Sequence, residues 1–168
     1  MTADPFLSAP LVVQFHIVMA VLAVVIGPVE VFRRSRDRWH KAAGRLWVGL
    51  MLGVALSSLW INEGRVCGPF SPIHLLSALT LWGLWVGLGH IRAGRVAAHG
   101  RAMQALYAQS LLIAGAFTFL PGRRMNAMFF GAAPQLGFAI MLGLALAVVA
   151  GFWLRGRKNP LSFGRANR

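Results

Sequence analysis

The sequence is poor in charge and poorer still in acid. Only 12% of its 168 residues are charged, and just four are Asp or Glu. Soluble domains carry about 25% charged residues. Asp4, Asp37 and Glu63 fall in loops, and Glu30 lies three and four residues before Arg33 and Arg34, which suits a helix-face ion pair. No spaced carboxylate pair and no Ser-His-Asp group is left for hydrolysis. The single cysteine, Cys67, excludes an internal disulfide, and without C-x-x-C-H there is no covalent haem attachment. Neither a phosphate-binding loop with Lys-Ser/Thr nor H-E-x-x-H is present. The N-terminus has no basic n-region, and no small-residue cleavage site follows the first apolar run, so that run is expected to be a retained span.

What the chain has instead is hydrophobic length: 57% of residues are apolar. The apolar runs, too long for soluble helices, predict five membrane spans at Pro10–Phe32, Ala42–Ile61, Pro72–Ile91, Met103–Leu120 and Gln135–Leu154. Pro10 suits a first helical turn, Pro28 is placed to kink the inner end of span one, and Ser71-Pro72 reads as a cap and restart. Gly49, Gly53 and Ser57 recur every four residues, as do Gly83 and Gly87, and Gly143, Ala147 and Gly151; this spacing lets membrane helices approach closely.

The net charge of +13 does not indicate a nucleic-acid partner, because the Arg and Lys residues cluster between the apolar runs. These clusters instead seat anionic lipid headgroups and set topology. Fourteen of the seventeen basic residues fall in the Arg33–Arg45 hinge, the Arg92–Arg101 turn and the tail from Arg155. Arg65, Arg123 and Arg124 fall on the other side. The positive-inside rule then places the N-terminus outside and the tail in the cytoplasm of a bacterial inner membrane. The expected architecture is an all-α helix bundle forming one membrane domain over 1–168, with a core at 10–120, an added helix at 125–154 and a basic tail at 155–168.

The core reads as a duplicated two-helix unit. His16 and His74 open the first helix of each half, and His40 and His99 follow a basic turn into the second. The separations are 24 and 25 residues, and H-K-A-A-G-R-L-W-V echoes H-G-R-A-M-Q-A-L-Y.

This series of an early histidine, H-K-A-A-G-R, S-P-I-H and H-G-R-A-M resembles a bacterial family of predicted membrane proteins of unknown function, over about His16 to Leu120. Gly100, Arg101 and Ala102 depart modestly from its pattern. The resemblance implies topology but no activity. More remotely, the chain is similar to dihaem membrane cytochromes such as cytochrome b561 and ferric-reductase-type bundles, which bind b haem through histidine pairs in a four-helix core.

That likeness makes the histidines the candidate site. Polar groups within spans are costly and suggest function. His16 lies about 9 Å into its helix at 1.5 Å per residue, and His74 about one turn into its own. Both fall near the outer face, on what the plan suggests are antiparallel neighbours. As ligands they would hold the iron of an outer haem b. Ala20, Ala23 and Gly27 continue the face of His16 and leave room either for a flat cofactor or for a neighbouring helix. His40 and His99 would hold a second, inner haem or simply meet headgroups and helix ends.

Arg45 and Arg101 could clamp a haem propionate or a quinone carbonyl, or anchor the inner face. Met103 reads as packing before axial ligand. Trp39, Trp60 and Trp153 read as aromatic-belt residues; Trp82 and Trp85, deeper, as packing. His90 turns away from His74 and is expected at the interface. The two functional expectations are a b-haem electron-transfer protein working with quinone or a redox partner, and a cofactor-free assembly subunit or small carrier with a histidine polar network. Oligomers are compatible with either.

Overall fold

A computed structural model describes residues 4–32, 37–61, 72–131 and 133–158. The described residues form helices and turns without a strand. In chain order the helices are α1 (Asp4–Leu7), α2 (Leu11–Phe32), α3 (Arg38–Ser57), α4 (Pro72–Arg92), α5 (Val96–Gln109), α6 (Gly115–Thr118), α7 (Arg124–Phe130) and α8 (Pro134–Lys158). A 3-10 turn, Ser58–Trp60, extends α3, and a π-helical stretch, Ser110–Ala114, extends α5.

Among the described residues, three helical segments are long and apolar enough to cross a membrane: Leu11–Val31, Arg38–Trp60 and Ile73–Arg92. There are four if the bent pair Arg124–Phe130 and Pro134–Leu144 forms one broken span. The run expected as span four is divided among α5, the π stretch and α6. Arg33, Arg34 and Arg36 of the hinge, the 62–71 segment with Cys67 and the Ser71 cap, and the last ten residues of the tail lie outside the described residues.

The chain divides into two compact units, Thr2–Ala114 and the remainder from Gly115. The first is a ring in which α2 packs on α3, α3 on α4, α4 on α5 and α5 back on α2. Ala23, Trp47, Leu50, Met51, Leu84, Met103, Leu106 and Tyr107 fill its centre. α3 starts four residues before the expected span because Asp37 caps it: the carboxylate accepts from the His40 backbone N–H at 3.0 Å.

α2 runs on through Pro28. Proline lacks the N–H that would reach the carbonyl of Val24, four residues back. That carbonyl is taken up by the Tyr107 hydroxyl, which donates to it at 3.1 Å. Gly27, beside the proline, leaves the space that the Tyr107 ring and the Trp47 indole occupy; a Cβ there would collide with Tyr107 and stand 3.0 Å from Trp47 Nε1. One turn earlier, Trp47 Nε1 donates to the Ala23 carbonyl at 3.0 Å. The two adjacent residues Gly27 and Pro28 thus supply both the room and the free acceptor for an aromatic wedge from α5.

α4 and α5 meet differently. Gly83 receives Leu106 and Gly87 receives Met103, so closely that a Cβ at either glycine would overlap these side chains. The four-residue glycine spacing therefore acts here as expected. On α3 it acts in part: a Cβ at Gly53 would stand 3.6 Å from Met19 and Ser57 faces α2, but a Cβ at Gly49 would meet nothing within 4 Å.

In the second unit, Gly122 takes φ +85° in the turn after Pro121, and the Arg123 guanidinium lies 4.2 Å from the Phe117 ring centre. The fully buried Asn126 donates its amide to the carbonyls of Phe119 at 2.6 Å and Pro134 at 2.8 Å, tying α7 to the start of α8.

Candidate functional site: histidines at the two ends of a helix ring

The end of the ring expected to face outward gathers hydroxyls around the end of α3. Ser57 Oγ donates to its own helix, with the Gly53 carbonyl at 2.7 Å and the Val54 carbonyl at 3.1 Å. Its lone pair is therefore free to accept from His16 Nδ1, 3.0 Å away. Ser58 and Ser77 share a short hydroxyl–hydroxyl bond, and each lies within reach of a carbonyl of its own helix; with one proton apiece, one hydroxyl donates across and the other donates back. His74 Nε2 donates to the Leu59 carbonyl at 3.3 Å, so a side chain satisfies one of the orphan carbonyls of a helix end.

The structure thus brings both outer histidines to the same end of α3, within three residues of sequence. It also corrects their relation. α2 runs antiparallel to α5 (Gly27 on Tyr107, Val31 on Gln104), and α5 runs antiparallel to α4 (Gly87 on Met103, Gly83 on Leu106). α2 and α4 are therefore parallel and stand across the ring, both flanking α3; they are not antiparallel neighbours.

At the opposite end of the ring, His40 Nδ1 lies 2.9 Å from Glu30 Oε2, and the carboxylate is only 5% exposed. The two atoms do not meet in hydrogen-bond geometry, so this is a close polar contact rather than a hydrogen bond. The buried partner of Glu30 is thus a residue of the next helix; Arg33 and Arg34 lie outside the described residues. His99 Nδ1 donates to the Gly87 carbonyl at 2.8 Å. In both halves, then, the second histidine turns its Nδ1 onto the helix before it. Arg45 and Arg101 are both exposed.

A haem ligand commonly donates its second ring nitrogen to a carbonyl or carboxylate and binds metal with the other. His16 has that arrangement, with Nδ1 on Ser57. The remaining features do not fit a bis-histidine haem at the outer end. His74 directs Nε2 at a backbone carbonyl. The small-residue face below His16 seats Trp47 and Tyr107 at Ala23 and Gly27, which is the helix-packing use of those residues. Among the described residues, no three His, Cys, Asp or Glu side chains gather as a metal site.

Met103 is buried packing against Gly87. Trp39 and Trp60 are exposed near helix ends, as belt residues are. Trp82 and Trp85 differ from the packing role expected of them: they are 62% and 65% exposed and lean on each other as a tilted pair, 5.2 Å between ring centres. Sequence reasoning did not single out Trp47, Tyr107 or the Ser57–Ser58–Ser77 group. The Gly27-Pro28 pair was the available signal for the wedge, since it implies a cleft and an unpaired carbonyl four residues back.

A family model described as "Predicted membrane protein (DUF2306)" matches residues 13–118. No curated protein and no solved structure matches the chain.

Proposed function

The chain belongs to the DUF2306 family of predicted membrane proteins, and from that premise we propose that it is a five-span bacterial inner-membrane protein whose histidines form a polar interhelical network. Its N-terminus faces outward, its tail lies in the cytoplasm, and the basic turns rest on anionic headgroups. It serves as a small carrier or assembly subunit rather than as a b-type cytochrome.

One observation carries this reading. Each of the four candidate histidines is already engaged by the chain itself: His16 by Ser57, His74 by the Leu59 carbonyl, His40 by Glu30 and His99 by the Gly87 carbonyl. Within a membrane such polar contacts hold helices together and cover polar groups that hydrocarbon cannot solvate.

An absorption spectrum of the purified protein from haem-sufficient cells, as isolated and after dithionite, tests the proposal. A flat visible spectrum is expected, with His16→Ala and His74→Ala lowering thermal stability. A stoichiometric Soret band that disappears in those variants would overturn it in favour of haem and quinone chemistry.

A further inference from the structure

The glycine contacts between α4 and α5 form a ladder with a third rung. Gly83 meets Leu106, and Gly87 meets Met103. The next step of the same antiparallel register, three residues on along α4 and four back along α5, is His90 opposite His99. At about 100° per residue, His90 lies about 20° from Gly83 around the helix axis, on the face turned toward α5. His99 shares the α5 face of Met103 and Leu106. The hydrogen bond from His99 Nδ1 to the Gly87 carbonyl brings that imidazole to the turn of α4 that carries His90.

His90 Nδ1 is buried and makes no hydrogen bond. A buried ring nitrogen without a partner is costly. On the opposite rung, His99 donates through Nδ1 to a carbonyl, which in the neutral ring fixes the lone pair on Nε2. In the first half an acid, Glu30, precedes His40 by ten residues; in the second a histidine, His90, precedes His99 by nine, near but not at the equivalent place. Glu30 meets His40 directly. His90, by its place on the ladder, and His99, through its bond to the Gly87 carbonyl, instead bring two imidazoles to one helix junction.

We infer that His90 Nδ1 and His99 Nε2 form a two-imidazole site for a borderline transition-metal cation such as Zn2+, Cu2+ or Ni2+. Imidazole is a ligand of choice for these ions, and two neutral rings carry no charge that would repel them. Two protein ligands leave the other positions to water or an incoming donor, which suits an ion in transit rather than a permanent structural metal. Arg92, Arg95 and Arg101 around the junction are exposed, where water screens their charge. The site deepens the carrier reading but does not depend on it, since His16, His40 and His74 take no part.

The experiment is calorimetric titration of tag-free, full-length protein in detergent with Zn2+ alone, repeated on His90→Ala, His99→Gln, His16→Ala and Trp82→Leu. One ion per chain is expected. His90→Ala and His99→Gln should each weaken binding at least about tenfold, the size that even loss of an outer-shell partner carries. The other two variants should bind as the parent does. Electron paramagnetic resonance of the Cu2+ form should show coupling to two imidazole nitrogens in the parent and to one in His90→Ala, a readout that a folding defect does not imitate. Absence of binding to the parent, binding that survives both substitutions, or equal loss in His16→Ala would overturn the site. A Soret band would overturn the haem-free reading and leave this titration result standing on its own.

Discussion

The two helix pairs of the ring share a sequence plan but are fastened by different physics. α2 and α3 are stitched by polar groups at three levels: His16 to Ser57, the Trp47 indole to the Ala23 carbonyl, and His40 to Glu30. α4 and α5 rely on close approach, with Leu106 and Met103 seated on Gly83 and Gly87 and one histidine bond at the inner end. The comparison shows that histidines at like places along two helix pairs meet unlike partners. Water does not compete for hydrogen bonds inside a bilayer, and lipid tails are as apolar as Leu, so either route can hold two helices.

The largest separation between the pairs is expected from His40→Ala. It leaves the Glu30 carboxylate buried without its partner, a loss of about 3–5 kcal/mol, read as a fall in thermal unfolding temperature in detergent. Adding Glu30→Gln should recover most of it, because the penalty lies in the orphaned charge. The second pair should break by volume instead: Gly87→Val drives a side chain into Met103 and should cost about 1–3 kcal/mol. Met103→Ala in the same chain should relieve it, whereas no polar substitution should.

Tyr107→Phe removes the donor to the Val24 carbonyl and should cost about 1 kcal/mol. In a Pro28→Ala background, where the helix supplies its own N–H to that carbonyl, the same substitution should cost clearly less. Equal losses in both backgrounds would show that the tyrosine acts through packing alone. Ser57→Ala should lose about 0.6 kcal/mol, the usual size of an interhelical bond in a membrane, and Trp82→Leu, on an exposed face, almost nothing.

Much of the fold was legible because its signals are local. Hydrophobic runs marked α2, α3 and α4, Pro134 marked the start of α8, and four-residue glycine spacing marked the face where α4 meets α5. Facts that depend on register between helices were not legible. Glu30 has arginines three and four residues away in sequence, and only the packing of α2 on α3 reveals that His40 is its buried partner. Asp37 read as a loop acid, although its place before Arg38 is that of a helix cap. The π stretch at Ser110–Ala114 has no proline or glycine to announce it. Trp82 and Trp85 sit midway along an apolar helix, where hydrophobicity alone cannot separate a core face from a lipid face.

That exposed indole pair gives the protein a built-in optical depth gauge. Trp82 and Trp85 lie about 15–20 Å along α4 from Pro72 at 1.5 Å per residue, near the middle of a span, and their rings point away from the bundle. Tryptophan in membrane proteins favours the headgroup region, so fluorescence from this pair is set apart from that of Trp39 and Trp60. Lipids brominated near the chain terminus should quench it and leave Trp47, enclosed in the ring, bright. The emission of the unlabelled protein therefore records how deeply α4 sits, and any tilt of the helix during its working cycle would register as a change in quenching.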